Sequence, residues 1–230
     1  MIIVDLNQTM LSNLMAQLGN HLNAQVEENM VRHMVLNAIR SYKHKFGNEY
    51  GELIIACDNT NYWRKQIFPY YKANRKKNIE NSELNWKDIF DCMSKIRSEL
   101  KEYFPYRVID VESAEADDII GTLVPIYSAH EKVLILSSDG DFLQLQNYKN
   151  VKQYNPAQKK FVVSENPVMD LKEKIIRGDK GDGIPNIYSP SDCFVRDLRQ
   201  KPITKGALEK LLRESYTDQD TTIQANWMRN

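Results

Sequence analysis

Several acids in this sequence follow directly on short apolar runs. Asp5 ends Met1-Ile2-Ile3-Val4-Asp5, and Asp58 follows Leu53-Ile54-Ile55-Ala56-Cys57. Glu115 and Asp117 come shortly after Tyr106-Arg107-Val108-Ile109-Asp110-Val111, and Asp139 and Asp141 after Val133-Leu134-Ile135-Leu136-Ser137. Singly, each acid has an ordinary explanation. An Asp after a strand is often a helix N-cap or a turn residue, and Glu115, Asp117 and Asp118 could complement a helix dipole. Together, strand ends would deliver them to one edge. Carboxylates gathered that closely repel and raise one another's pKa, so they require cations. Oxygen-only ligands select hard ions, magnesium or manganese. Two such ions can stabilise both the attacking and the leaving oxygen of a phosphodiester. The chemistry implied is hydrolysis by an activated water, with no covalent intermediate. No Ser–His or Cys–His pair has the spacing of a nucleophile and its base. His21, His33, His44 and His130 lack ligand spacing, which argues against zinc.

Two details qualify this set. Glu115 and Asp117 are two apart and point opposite ways on a regular helix. Both can face one site only if Glu115 sits at the irregular helix entry. Further acids, Asp179 and Asp182, lie in Gly178-Asp179-Lys180-Gly181-Asp182-Gly183-Ile184-Pro185. That run reads either as a flexible turn or as a loop between helices whose backbone N–H groups hold a phosphate.

The positioning elements are strands and helices in alternation. The four apolar runs suit buried parallel strands. Helical spacing recurs over 25–46 (Val26, Met30, His33, Met34, Ile39), 86–104 (Ile89, Phe90, Met93, Ile96, Leu100, Phe104) and 115–129. The expectation is an α/β fold with a central, mostly parallel sheet flanked by helices, and ligands outside the carboxyl ends of the strands. Residues 1–165 read as this core, including an excursion at 59–85 that is basic, aromatic and poor in aliphatics. Residues 166–230 read as a helical unit broken at 178–185.

Net charge is zero, from 31 basic and 31 acidic residues, so total charge says nothing about nucleic acid. Its distribution does. Arg64, Lys65, Lys72, Arg75, Lys76 and Lys77 fall in a stretch without acids, beside Tyr62, Trp63, Phe68, Tyr70 and Tyr71. Cations neutralise phosphates and aromatics stack on unpaired bases; alternatively the aromatics are buried beneath a surface helix. Lys72 and Arg75, spaced i, i+3, would share a helix face. Thr204-Lys205 would open a helix, a place for a backbone phosphate contact. The three cysteines suit buried thiols in a reducing compartment. No apolar run is long enough to span a bilayer, and Met1 leads straight into a strand rather than a signal peptide.

The motifs Val4-Asp5, Ala56-Cys57-Asp58, Tyr71-Lys72-Ala73-Asn74-Arg75, Glu115-Ala116-Asp117-Asp118, Ser138-Asp139-Gly140-Asp141-Phe142 and Gly178-Asp179 through Ile184-Pro185 occur in one chain in that order. In this the sequence resembles the 5′-nuclease (flap endonuclease) superfamily, nearest its T-even-phage ribonuclease H branch. The resemblance implies a PIN-like core with a helix-three-turn-helix unit over 168–214. It implies two Mg2+ ions, with Mn2+ substituting. Asp5, Asp58, Asp117 and Asp139, with Glu115 contributing, would hold the first; Asp141, Asp179 and Asp182 would hold the second.

By the same resemblance Lys72 and Arg75 would clamp the scissile phosphate. Arg64, Lys65, Tyr71, Lys76, Lys180, Gly181, Gly183 and Lys205 would contact nucleic acid. The implied activity is 5′→3′ nuclease, acting as ribonuclease H and as 5′ exonuclease or flap endonuclease. Its substrates are RNA–DNA hybrid and 5′-flapped or nicked duplex DNA, in primer removal during phage replication. A monomer in the bacterial host cytoplasm is implied, with a single-stranded-DNA-binding protein and a sliding clamp as partners. Partner contacts depend on the C-terminal end, where the chain stops at Trp227-Met228-Arg229-Asn230 in a helical pattern, as in a fragment or a shortened form. Two other readings compete. A PIN-type single-stranded-RNA endonuclease would need neither the 168–214 unit nor the Tyr71–Arg75 segment. A non-catalytic branched-DNA-binding module predicts at least one lost acid, and none is missing.

Overall fold

The structure is a computed structural model that describes residues 1–18 and 26–213. The chain divides into two compact units: Met1–Asn61 with Glu83–Glu165, and Tyr62–Ser82 with the chain from Asn166. The basic excursion, placed with the core on sequence grounds, thus groups largely with the C-terminal unit.

The first unit is built on a six-stranded sheet of order β3-β2-β1-β4-β5-β6. The strands are β1 (Ile2–Asp5), β2 (Leu53–Cys57), β3 (Arg107–Asp110), β4 (Val133–Leu136), β5 (Val151–Asn155) and β6 (Lys160–Val162). All neighbours pair in parallel except β5 and β6, which are antiparallel. The expected α/β, mostly parallel sheet is therefore present. β1, β2 and β4 are buried at every position, as strands covered on both faces must be. The sequence reading missed β5 and β6: Val-Lys-Gln-Tyr-Asn and Lys-Phe-Val are short and lack a β-branched run.

Side-chain alternation separates two cores. Ile2, Val4, Leu53, Ile55, Cys57, Leu134 and Leu136 pack with α1 (Leu6–Leu18), α2 (Glu28–Tyr50) and α5 (Trp86–Tyr103). Met1, Ile3, Ile54, Ala56, Val133 and Ile135 pack with α6 (Ala116–Ser128) and with Phe142 of a 3-10 helix, Gly140–Asn147. On α2 the buried stripe is Val31, Val35, Ile39, Phe46 and Tyr50; of the expected residues Ile39 is in it and Val26 packs against it, while Met30 and His33 are exposed. Four-residue spacing of Val31, Val35 and Ile39 makes the more continuous apolar face. α2 also runs past the expected 46 to Tyr50, where Gly51 at φ +80° ends it.

The topology decides where a site can form. From β1 the chain adds β2 and β3 outward on one side, and α6 then returns it to β4 on the other side of β1. The β1/β4 boundary is a topological switch point, whose carboxyl-end crevice is where open α/β sheets bind ligands.

The second unit contains α3 (Arg64–Ile67), α4 (Ala73–Glu80), α7 (Pro167–Arg177) and α8 (Lys205–Arg213). Phe68, Tyr71 and Ile184 form its small core, with Tyr62 and Tyr70 partly buried against it. Two of the aromatics expected to meet bases are therefore core residues here. Cys57, Cys92 and Cys193 are free and buried. Among the described residues no helix is long and apolar enough to cross a membrane. The C-terminal residues on which the partner expectation falls lie outside the described residues.

Candidate active site

At the carboxyl edge of β1, Asp5 lies on the same face as Ile3, the face covered by α6. It is 7% exposed. Its Oδ1 accepts from the Gln8 backbone N–H at 3.1 Å, and its Oδ2 accepts from the Ser137 hydroxyl, just past β4, at 3.0 Å. Burial pushes the Asp5 carboxyl up to about 7. The charges of Asp58 and Asp139 contribute to that rise, and the two hydrogen bonds act against it. Asp5 at the end of β1 thus feels the charges of carboxylates that follow β2 and β4.

Asp58 follows β2 and is gripped on both oxygens. Oδ1 accepts from the Ala116 N–H in the first turn of α6 at 2.6 Å, and Oδ2 from Asn7 Nδ2 at 2.6 Å. The Asp58 carbonyl accepts from Arg97 Nη1 at 2.7 Å.

Glu115 is the N-cap of α6, in extended backbone (φ −95°, ψ 165°), and is 1% exposed. The spacing problem with Asp117 dissolves, because Glu115 precedes the helix. Asp118 closes a capping box, accepting from the Glu115 N–H at 2.8 Å. Asp117 lies in the same first turn. Asp139 caps the 3-10 helix and accepts from the Asp141 N–H at 2.9 Å; Asp141 is the second residue of that helix.

Among the described residues no three His, Cys, Asp or Glu side chains form a ready-made metal cage. The carboxylates are held by protein donors instead. The donor chemistry fits a hard divalent cation: oxygen ligands only, and a buried Asp5 whose charge the protein alone disfavours.

Asp179 and Asp182 lie in the second unit, with Lys72 and Arg75. Lys72 is not on the helix face expected for it. It sits before α4 in left-handed backbone, φ 56°. Its N–H donates to the Asp182 carbonyl at 2.7 Å. Arg75 Nη2 donates to Asp182 Oδ1 at 2.5 Å, Tyr71 Oη donates to Oδ2 at 3.2 Å, and Lys72 Nζ stands 3.9 Å from Oδ1.

The 178–185 loop depends on two glycines. A Cβ on Gly183 (φ +74°) would come within 2.9 Å of the Tyr70 carbonyl, and one on Gly178 (φ +69°) within 2.4 Å of the Ile184 carbonyl. The Asp182 N–H, expected to meet a phosphate, points at Asp179 Oδ1 at 3.1 Å, and the Gly183 N–H at the Lys180 carbonyl at 3.3 Å. An internal carboxylate takes the place of an external anion. Burial opposes ionisation of Asp179, but Lys174 at 3.2 Å and the backbone N–H groups of Asp182 and Gly181 outweigh it and hold its pKa below the ordinary value. Lys65, Lys76, Lys180 and Gly181 are exposed, and Arg64 stacks 4.8 Å over Trp63. Lys205 opens α8, which Thr204 caps by accepting from the Ala207 N–H at 3.2 Å.

The model of the 5'-3' exonuclease, N-terminal resolvase-like domain matches residues 1–175. The chain belongs to that family. This 5'-3' exonuclease-family chain is 38% identical over 198 residues to "Ribonuclease H" of Enterobacteria phage T4, covering 84% of the chain and 64% of that protein. It is 32% identical over 136 residues to "Flap endonuclease Xni" of Shewanella sp. (strain MR-4), covering 54% of the chain and 48% of that protein. The chain thus spans just under two thirds of the first relative and about half of the second.

Its fold matches a bacteriophage T5 flap endonuclease solved as a pseudo-enzyme-product complex with DNA and metal ions. The TM-score is 0.70 at 16% identity, covering 99% of this chain and 86% of that one. It also matches T5 5'-exonuclease with bound zinc, at TM-score 0.69 and 15% identity, covering 100% and 87%.

Within this family chain the structure brings Asp5, Asp58, Glu115, Asp117, Asp139 and Asp141 to the strand-end segments of one unit. Asp179 and Asp182 belong to the other. Sequence reasoning missed Asn7, Gln8, Arg97, Ser137 and Gln153, which hold the acids. Ser137 lay in the fourth strand's run without a reason to be singled out. Gln153 could not be found, because its strand was not.

Proposed function

We propose that this chain is a divalent-metal-dependent 5′-nuclease that hydrolyses phosphodiesters near free 5′ ends of RNA–DNA hybrids and of nicked or flapped duplex DNA. The observation that carries this is a buried Asp5 at the end of β1, raised in pKa by burial and by the charges of Asp58 after β2 and Asp139 after β4. A site of carboxylate oxygens around a buried Asp5, with no Ser–His or Cys–His pair, suits hydrolysis supported by hard cations. The names of the relatives, ribonuclease H and flap endonuclease, support the activity and the substrates. The phage relative supports action in the host cytoplasm.

In this reading Asp5, Asp58, Glu115, Asp117, Asp139 and Asp141 are the first unit's ligands for two Mg2+, which Mn2+ can replace. When bound, the ions supply an activated water and compensate charge on the departing oxygen. The chain's own residues do the rest. Ser137 and Gln8 orient Asp5, and Asn7 and the α6 N-terminus orient Asp58. In the second unit Lys65, Lys76, Lys180 and Lys205 neutralise backbone phosphates. Lys72 and Arg75 exchange Asp182 for a substrate phosphate, which an Arg can bind bidentately.

The test is cleavage with Mg2+ of a 5′-flapped DNA, a nicked RNA–DNA hybrid and single-stranded RNA. Both duplex substrates should be cut and the third spared. Activity surviving Asp139→Asn with Asp141→Asn would sink the metal reading, and preference for single-stranded RNA would replace it with a PIN-type endonuclease.

A further inference from the structure

Gln153 is out of character for its place. It sits in β5, paired in register with Ile135 of β4, and is 1% exposed. A buried amide must find partners, since an unmet donor or acceptor inside a protein is costly. Gln153 finds them in one short segment. Its Nε2 donates to the Ser137 carbonyl at 3.0 Å and to the Asp139 carbonyl at 2.6 Å. These are the two ends of Ser137-Ser138-Asp139, the turn that carries the chain out of β4 into the acidic edge. Its own Oε1 accepts a long contact from Gln146 Nε2, 3.5 Å, from the 3-10 helix that Asp139 caps.

Ser137 completes the arrangement. It is fully buried, and its hydroxyl donates to Asp5 Oδ2 at 3.0 Å while accepting from the Asp139 N–H at 3.1 Å. One oxygen therefore bridges a carboxylate of β1 and the backbone that presents a carboxylate after β4. Asp139 is held at its N–H by Ser137 and at its carbonyl by Gln153, while its Oδ1 caps the 3-10 helix through the Asp141 N–H. An apolar residue at 153 would bury as well in the sheet. What Gln adds is a fixed direction for this one turn.

We infer that Gln153 and Ser137 are positioning residues of the acidic site: Gln153 sets the turn that presents Asp139, and the Ser137 hydroxyl sets Asp5 against it. The inference rests on the metal-dependent reading above. It says that spacing of the carboxylates, and so cation affinity and turnover, is governed by a strand that contributes no ligand. Groups hydrogen-bonded behind ligands typically change metal affinity or activity 10–100-fold when removed.

The experiment uses the whole chain and two variants, Gln153→Met, which keeps length but not the donors, and Ser137→Ala. Three quantities are read: Mn2+ binding by titration calorimetry without nucleic acid, kcat and KM on a 5′-flapped duplex in Mg2+, and melting temperature. Expected for each folded variant is Mn2+ affinity and kcat lowered roughly 10-fold or more, with KM for the duplex within about threefold of wild type. A purely structural role would lower the melting temperature and leave Mn2+ affinity unmoved. Mn2+ affinity and kcat within about twofold of wild type in folded Gln153→Met overturn the inference. If Gln153→Met does not fold, Ser137→Ala decides by the same criterion. A wild-type chain that binds no Mn2+ defeats the metal-dependent reading itself, and this inference with it; a wild type that binds and variants that bind equally defeat the inference alone.

Discussion

Asp5 offers the sharpest test of the charge argument, because burial makes its ionisation expensive in the absence of a cation. Its carboxyl rises from 3.8 to about 7 in the folded chain. A group with a raised folded pKa binds its proton more tightly folded than unfolded. Its effect on stability is therefore absent below about pH 4, grows as pH rises, and is complete above about pH 7, where folding is disfavoured. At about 1.4 kcal/mol per pH unit the full effect is on the order of 4 kcal/mol. Asp5→Asn removes the titration but also weakens what Gln8 and Ser137 donate to. Each such bond contributes about 1 kcal/mol. The net expectation is that Asp5→Asn is more stable than wild type by roughly 2 kcal/mol at pH 8 in a chelator, and less stable by up to about 2 kcal/mol at pH 4. Urea denaturation at both pH values reads this directly. Saturating Mg2+ should recover stability in wild type and not in the variant, since only a ligand of the folded state stabilises it. An Asp5→Asn chain no more stable than wild type at pH 8, or a difference that does not change with pH, refutes the reasoning.

Three further expectations follow from the geometry. Gly183→Ala places a Cβ within 2.9 Å of the Tyr70 carbonyl at φ +74°, and should cost about 1–3 kcal/mol, read as a lowered denaturant midpoint. For Arg75 and Asp182, a double-mutant cycle should give a coupling of about 1 kcal/mol or less, because Arg75 is half-exposed, and 0.5 M salt should shrink it; a salt-independent coupling would contradict this. Burial opposes ionisation of Asp110, but its hydrogen bonds with Lys101 at 2.8 Å and Asn59 at 3.0 Å outweigh that and lower its pKa. Its stabilisation is present above about pH 4 and lost as pH falls below, so Lys101→Met should flatten the acid limb of a stability–pH curve by under about 1 kcal/mol.

Much of the fold could be read before any coordinates. β1, β2 and β4 announce themselves because strands covered on both faces must be apolar throughout. α5 buries Ile89, Ile96 and Leu100 as its periodicity required, although Phe90 faces solvent. β5 and β6 were silent because short strands near a sheet edge can carry Lys and Gln. α2 was found but its face was misjudged, since Met30 and Val31 compete as neighbours and only packing chooses between them.

The acids of the first unit were legible for one reason: each ends or follows a recognisable strand, and parallel strands in one sheet share a carboxyl edge. Sequence alone therefore determined the composition of the candidate site and the chemistry it could support. Tertiary structure decided how those acids are held. The Ser137 bridge to Asp5, the Gln153 grip on Asp139, the α6 N–H on Asp58 and the Arg75 pairing with Asp182 join residues 14 to 132 positions apart. Hydrogen bonds are short and directional, so such partners exist only once the sheet order and the loop geometry have placed them.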